Sequence, residues 1–145
     1  RLLQQTGFQT IRLGLEASDG NKRWDLDKKI SKGDFAHAMD YLRNAGFHPG
    51  QIGAYIMMGL PGQSPDAVAE TIRHADRCGA IPYLSEYSPI PHTRLWEKAV
   101  DTSSYDLPSE PLFHNNSLLP CWDDTRKRQI PRLKRLVSQV REKYR

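Results

Sequence analysis

The sequence predicts an α/β fold in which three parallel strands form half of a TIM-like (β/α) barrel, with further helices at the C-terminal end. Strand-like and helix-like segments alternate through the first 90 residues, which is the pattern of right-handed βαβ crossovers. The middle strand, at 52–58, is apolar on both sides, as expected for a sheet covered by helices. A three-stranded parallel sheet leaves unprotected edges. We therefore expect it to be part of a larger barrel.

Each helix and strand of the first 90 residues is predicted from local sequence signals such as caps, glycines and apolar spacing. The chain opens with RLLQQTG, typical of a helix that ends at a glycine cap, and it has no initiator Met; this predicts an excised part of a longer protein. Apolar residues at helical spacing predict a helix over about 35–45 that ends at Gly46. A second helix begins after a Ser64 cap and ends near Gly79. The predicted strands are 10–15, 52–58 and 81–87.

The alternation ends after Pro91. We expect a short helix at 93–100, a loop punctuated by prolines at 101–120, and a long helix at 123–144 with an early break at Pro131. The chain is accordingly divided into a barrel part, 1–100, and a post-barrel part, 101–145.

Composition narrows the class of protein. A chain of 145 residues can bury a real core, and it contains no stretch resembling a membrane span or a signal peptide, so we expect a cytoplasmic location. Cys78 and Cys121, the only cysteines, lie far apart without metal-ligand spacing, and we expect free thiols.

Basic residues are concentrated at the C-terminal end. The net charge is +4, and residues 123–145 contain nine basic and three acidic side chains. Such a segment can bind nucleic acid or a partner protein, and it can also be the solvated face of a last helix. A non-enzymatic nucleic-acid or partner-binding module is therefore the alternative function.

The sequence GLPGQS at 59–64 follows the middle strand directly. Pro61 and Gly62 suit the centre of a type II turn, and Pro65 suits the first position of a helix. Ligands of parallel α/β sheets bind at the carboxyl ends of the strands, so a glycine there lets a flat ligand approach the backbone. An ordinary strand-to-helix connection, or a different (β/α) enzyme using the turn for an unrelated ligand, are the alternatives.

Three segments resemble the fourth, fifth and sixth strands of the radical S-adenosylmethionine (radical SAM) enzymes: IRLGLEAS at 11–18, YIMMGLPGQS at 55–64 and YLSEYSPIP at 83–91. The segment SEPLFHNNSLLP at 109–120 resembles the region after the barrel in members that also bind cobalamin. The resemblance implies a partial (β/α)6 barrel that holds a [4Fe–4S] cluster beside S-adenosylmethionine. Reductive cleavage of that cofactor yields a 5′-deoxyadenosyl radical, which abstracts a substrate hydrogen.

The sequence departs from that family in two respects, of which the first is decisive: the cysteine triplet and the glycine-rich stretch of the second strand are both missing. It contains no C-x-x-x-C-x-x-C triplet, and neither Cys78 nor Cys121 can replace a three-thiolate site. We therefore expect the C-terminal half of a catalytic domain, inactive alone. Its expected partner is the missing N-terminal half of the barrel, and the open sheet edge also favours self-association. The reaction class, whether methylation, methylthiolation, ring chemistry or oxidation, stays open.

The resemblance assigns cofactor binding to Glu16, Ser18, Ile56, Met58, Gly59, Glu86, Tyr87 and Ser88. Polar groups after the first strand would reach the ribose or the methionyl part of S-adenosylmethionine. The ends of the next two strands would contact its adenine. Alternation lets only one of Met57 and Met58 face the barrel interior. The alternatives are a solvated loop for Glu16, a turn for Ser18 and Gly59, and core positions for Ile56 and Tyr87.

Four further polar residues could line the substrate side: His92, His114, Asn115 and Asn116. Asparagine side chains also fix loops by bonding to nearby backbone, so a structural role for the His-Asn-Asn run is the alternative.

Overall fold

The computed structural model describes residues 2–15 and 32–144. Its helices are α1 (Leu2–Gln5), α2 (Lys32–Asn44), α3 (Pro65–Arg77), α4 (Trp96–Thr102), α5 (Asp124–Lys127) and α6 (Ile130–Glu142). Its strands are β1 (Ile11–Gly14), β2 (Ile52–Met58) and β3 (Ile81–Glu86). Short 3₁₀ turns cover Pro49–Gln51, Pro111–His114 and Asn116–Leu118.

The three strands form one parallel sheet in the order β1-β2-β3. Ile52 lies opposite Ile11 on one side, and Tyr55 lies opposite Tyr83 on the other. Long connections containing α2 and α3 join the strands, as parallel pairing requires. The predicted α/β class and three-stranded parallel sheet are therefore confirmed.

The middle strand presents two different faces. Ile52, Ala54, Ile56 and Met58 are fully buried in the main core, against α2 and α3. Tyr55, on the opposite face, is 49% exposed. Because side chains alternate along a strand, this face belongs to the odd-numbered residues of β2, and we call it the open face.

Helix α6 closes the β3 side of the sheet. Its buried side chains are Leu133, Val137 and Val140, and it packs on both α3 and β3. The sequence predicts one helix broken at Pro131, whereas the structure has two helices separated at residues 128–129. Pro131 lies in the first turn of α6, where its missing N–H and fixed φ are compatible with a helix start.

Residues 101–144 fold back onto the sheet. Leu119 and Trp122 join the main core beside β2, and α4 runs across the expected division at residue 100. A second apolar cluster contains Leu60, Tyr87, Ala99, Leu107 and Cys121. Residues 95–121 therefore pack over the carboxyl end of the strands.

No helix among residues 2–15 and 32–144 is long and apolar enough to cross a membrane.

Candidate functional site

The connection after β2 has the predicted turn chemistry. Gln63 donates its backbone N–H to the Leu60 carbonyl at 3.1 Å, and Gly62 has φ +73°, as a type II turn requires at its third position. The Ser64 hydroxyl then accepts the N–H of the third residue of α3 at 3.1 Å. This cap fixes the direction in which α3 leaves the end of the sheet.

Gln63 holds the turn together, and sequence reasoning missed it. Its side chain is only 4% exposed. Its Oε1 accepts the N–H groups of Gly59 (2.9 Å) and Leu60 (3.2 Å), while Nε2 donates to the Met57 carbonyl at 3.0 Å. A physical argument could have identified Gln63 from the sequence. The backbone N–H and C=O groups that follow β2 leave the hydrogen bonding of the sheet, and such groups need other partners once they are buried.

Gly59 makes a close approach, but to a residue of this chain. Its φ is +94°, and a Cβ built there would lie 2.4 Å from Cδ2 of Leu119. Leu119 is 4% exposed and itself has φ +46°. The space predicted for a flat ligand is therefore filled by a leucine side chain 60 residues further along the sequence.

The two predicted adenine contacts of β2 point away from the open face. Ile56 and Met58 are fully buried on the helix side of the sheet. Met57 is half-buried and packs against the second apolar cluster. Strand alternation places Met57 rather than Met58 toward the open face, so any contact by Ile56 or Met58 with a ligand on that face has to be made by backbone atoms.

The three predicted site residues at the end of β3 lie in different environments. Glu86 lies opposite Met58 and is half-buried, while the Ser88 hydroxyl donates to the backbone carbonyl of His114 at 2.5 Å. Tyr87 is buried in the second cluster, and its hydroxyl has no hydrogen-bond partner within the described ranges. Burial, with a smaller contribution from Cys121, raises the pKa of Tyr87 to about 12, so the phenol is a neutral donor at neutral pH.

Glu16 and Ser18 lie outside the described residues. The structure therefore says nothing about the carboxylate and hydroxyl expected after β1.

The predicted substrate residues are held in local loop contacts. His114 Nε2 lies 2.8 Å from the Leu107 carbonyl, and its ring meets that of Trp96 edge-on at 5.1 Å. Asn115 caps the turn at Asn116–Leu118 by accepting two hydrogen bonds from Ser117. These contacts favour the loop-fixing alternative for both residues. Asn116 and His92 are exposed, and His92 has φ +63°.

The two thiols lie in different environments. Burial raises the pKa of Cys121 to about 11, and burial also raises the pKa of the half-buried Cys78. Both are free. In the part of the chain that the structure describes, no group of three or more His, Cys, Asp or Glu could hold a metal ion.

Some of the C-terminal basic charge is used inside the fold. Arg132 of α6 pairs with Asp66 of α3 at 2.9 Å, and Lys143 pairs with Asp76 at 2.5 Å. The first pair connects α6 to α3, and the second connects the residue that follows α6 to α3. The charge left for an external anion is therefore smaller than the sequence suggests.

No protein-family model matches this chain, and no curated protein matches it either.

Proposed function

We propose that this chain is the C-terminal half of a radical SAM catalytic domain and contributes part of the S-adenosylmethionine and substrate pocket. The observation that carries the proposal is the connection after β2. A glycine at φ +94°, a type II turn and a capped helix follow the middle strand of a parallel sheet, where α/β enzymes bind their ligands.

The residues at this end of the sheet fit a nucleoside in two respects. Met57 offers an apolar side chain on the open-face side, and the Tyr87 hydroxyl is a buried donor without a partner in the described residues. A purine or ribose acceptor would satisfy that hydroxyl, which is costly to leave unpaired. Leu119 occupies the space beside Gly59, so binding there requires the 115–119 segment to move.

The iron–sulfur cluster does not fit the described residues. Cys121 is buried with a pKa of about 11, the opposite of the thiolate that iron requires, and Cys78 lies at the end of α3. The cluster ligands would therefore come from the missing N-terminal half of the barrel.

In the proposed parent enzyme, S-adenosylmethionine would supply 5′-deoxyadenosyl radical chemistry, and the cluster that this chemistry requires would be held by residues outside those described here. The residues described here would orient the nucleoside and exclude water. Gln63 would keep the backbone of the turn rigid, Met57 would pack against the base, and Tyr87 would donate a hydrogen bond. The resemblance of the 109–120 segment to the cobalamin-binding subgroup extends the proposal to cobalamin as a second cofactor of that parent.

The adjoining upstream reading frame gives the first test. We expect it to encode the C-x-x-x-C-x-x-C triplet, and its absence there contradicts the proposal. Anaerobic reconstitution of the extended protein with iron and sulfide should then give cluster absorbance and release 5′-deoxyadenosine. Within this chain, Tyr87→Phe should weaken S-adenosylmethionine binding about three- to tenfold, while Tyr105→Phe serves as the matched control.

The free edge of β1 favours a partner strand. Among the described residues β1 pairs only with β2, and Leu2, Leu3 and Phe8 nearby in sequence are exposed. Unpaired edge groups are a template for association. We propose that the missing half covers this edge in the parent and that the isolated chain associates with itself.

Sedimentation velocity tests that association. Leu15 donates its N–H to Tyr55 at 2.8 Å, so alternation directs the N–H of Gly14 to the free edge. Gly14→Pro removes this outward donor, and a Cβ at Gly14 would meet no atom of the described residues within 4 Å. We expect the wild type and Gly14→Ala to associate with rising concentration and Gly14→Pro to stay monomeric. A monodisperse wild-type monomer at every concentration contradicts the idea.

The second candidate is a nucleic-acid or partner-binding module that uses α6. It rests on the basic residues of 123–145, and the ion pairs with α3 weaken it. A labelled oligonucleotide should bind tightly at low ionic strength and lose affinity steeply as salt rises. Absence of binding at low salt removes this candidate.

A further inference from the structure

One buried side chain holds an otherwise exposed segment onto the carboxyl end of the sheet. We call residues 115–119 the strap. Residues 115–117 are exposed, whereas Leu119 is 4% exposed and fills the space beside Gly59. The strap is therefore closed over the turn after β2 by the side chain of a single residue.

The strap is anchored at both ends. On one side, the Ser88 hydroxyl donates a hydrogen bond to the backbone carbonyl of His114. On the other side, residues 120–122 are buried, and Trp122 donates its backbone N–H to the Leu119 carbonyl at 3.0 Å. The residues between the anchors can therefore leave the turn while both ends of the strap stay in place.

The first anchor lies within the proposed cofactor site. Ser88 follows β3, and the resemblance assigns it to the binding of S-adenosylmethionine. A serine hydroxyl has one proton to donate, so Ser88 cannot donate to the His114 carbonyl and to a ligand acceptor at once. A ligand that accepts this hydrogen bond therefore releases the beginning of the strap.

The closed position of the strap carries local costs. Leu119 has φ +46° and ψ +61°, a left-handed conformation that is unfavourable for a residue with a side chain. The Tyr87 hydroxyl and the Trp122 indole N–H are buried without hydrogen-bond partners in the described part of the chain. A Cβ built at Gly59 would lie 3.8 Å from Cβ of Tyr87, so this ring borders the same space as Leu119. Opening the strap relieves costs that the closed form keeps, which favours two alternative positions of the segment.

We propose that the strap is an autoinhibitory gate whose opening is coupled to cofactor binding through Ser88, an inference that rests on the proposed function. In the closed form Leu119 occupies the space of the nucleoside. A ligand that accepts hydrogen bonds from Ser88 and Tyr87 binds only the open form, so it shifts the population toward that form.

Native-state hydrogen exchange of the chain tests the gate without any ligand. The Trp122 amide reports opening because its partner is the Leu119 carbonyl, and the Ile56 amide in the central strand reports global unfolding. We expect the Trp122 amide to exchange at least about 100-fold faster than the Ile56 amide after correction for intrinsic rates. Ser88→Ala should speed exchange at Trp122 a further 2- to 10-fold or about that, without an equal change at Ile56.

Thr93→Val is the matched control for Ser88→Ala. The Thr93 hydroxyl also donates to a backbone carbonyl, that of Ile90 at 2.7 Å, but within its own exposed turn. This variant should leave exchange at Trp122 unchanged. The gate is overturned by equal protection of the Trp122 and Ile56 amides in the wild type, or by equal effects of Ser88→Ala and Thr93→Val.

Addition of S-adenosylmethionine tests the coupling. Exchange at Trp122 should become faster as the ligand saturates the chain. Binding that leaves the protection of Trp122 unchanged overturns the gate and leaves the proposed function standing. Absence of binding even in Leu119→Ala, where the occupying side chain is gone, contradicts the proposed function instead, so the two failures are distinguishable.

Discussion

Replacing Gly59 by alanine tests the contact that closes the carboxyl end of the sheet. The substitution forces a residue with a side chain to φ +94° and brings its Cβ to 2.4 Å from Leu119 Cδ2. A left-handed conformation costs a non-glycine residue about 1–2 kcal/mol, and overpacking a buried site costs about 1–3 kcal/mol more. We expect Gly59→Ala to lower the free energy of unfolding by about 2–5 kcal/mol.

A matched glycine separates the two contributions. Gly79 has φ +79°, and a Cβ there would lie 3.2 Å from the end of the flexible Arg43 side chain. Gly79→Ala should therefore show the backbone cost alone, about 1–2 kcal/mol. Urea unfolding at unchanged m-value measures both variants.

A double-mutant cycle with Leu119→Ala isolates the clash. Leu119→Ala removes a buried side chain and should cost about 2–4 kcal/mol alone. With the leucine gone, Gly59→Ala should cost only its backbone share, so the two changes should couple by at least about 1 kcal/mol. The contact is refuted if Gly59→Ala and Leu119→Ala have additive effects on the free energy of unfolding and Gly59→Ala costs no more than Gly79→Ala.

Three other predictions follow from buried groups. Gln63→Ala leaves buried N–H groups unpaired and should cost about 2–4 kcal/mol in urea unfolding, against less than about 0.5 kcal/mol for exposed Gln139→Ala. Burial raises the pKa of Cys121 from 9.0 to about 11, so the folded state holds this proton more tightly. The free energy of unfolding that this group contributes is fully present below pH 9 and should be lost as the pH rises from 9 to about 11. Cys121→Ala should lose less stability over that interval than the wild type. An equal loss in the two proteins contradicts the raised pKa. Leu133→Ala should lower the midpoint of thermal unfolding through a loss of about 2–5 kcal/mol, and Leu112→Ala, at a 76% exposed position, should not.

Local patterns were sufficient for the sheet and its turns. The strand at 52–58 matches β2 residue for residue, and the Ser64 cap and the Pro61–Gly62 turn have the expected hydrogen bonds. These features depend on backbone preferences of neighbouring residues, which a sequence displays directly.

Long-range contacts were not predictable in the same way. Met57 rather than Met58 lies toward the open face, and this depends on which side of the sheet the helices cover. Leu119 reaches Gly59 from a loop with no periodic pattern of its own. The contacts of the Arg12 and Arg141 guanidinium groups with the Tyr83 ring join elements up to 129 positions apart, and nothing local links them. The radical SAM assignment itself stays a prediction.

The contact between Leu119 and Gly59 also limits the affinity of the proposed cofactor. A nucleoside that takes the place of this side chain exposes a buried leucine, which costs about 1.5–3 kcal/mol. Because only the open form can bind, the affinity measured on this chain is lowered by the same free energy, which is roughly 10- to 150-fold. Leu119→Ala would remove that competition, so it should raise the affinity for adenosyl ligands even as it lowers the stability of the fold. A variant that loses stability and affinity together would mean that Leu119 supports the pocket instead of filling it.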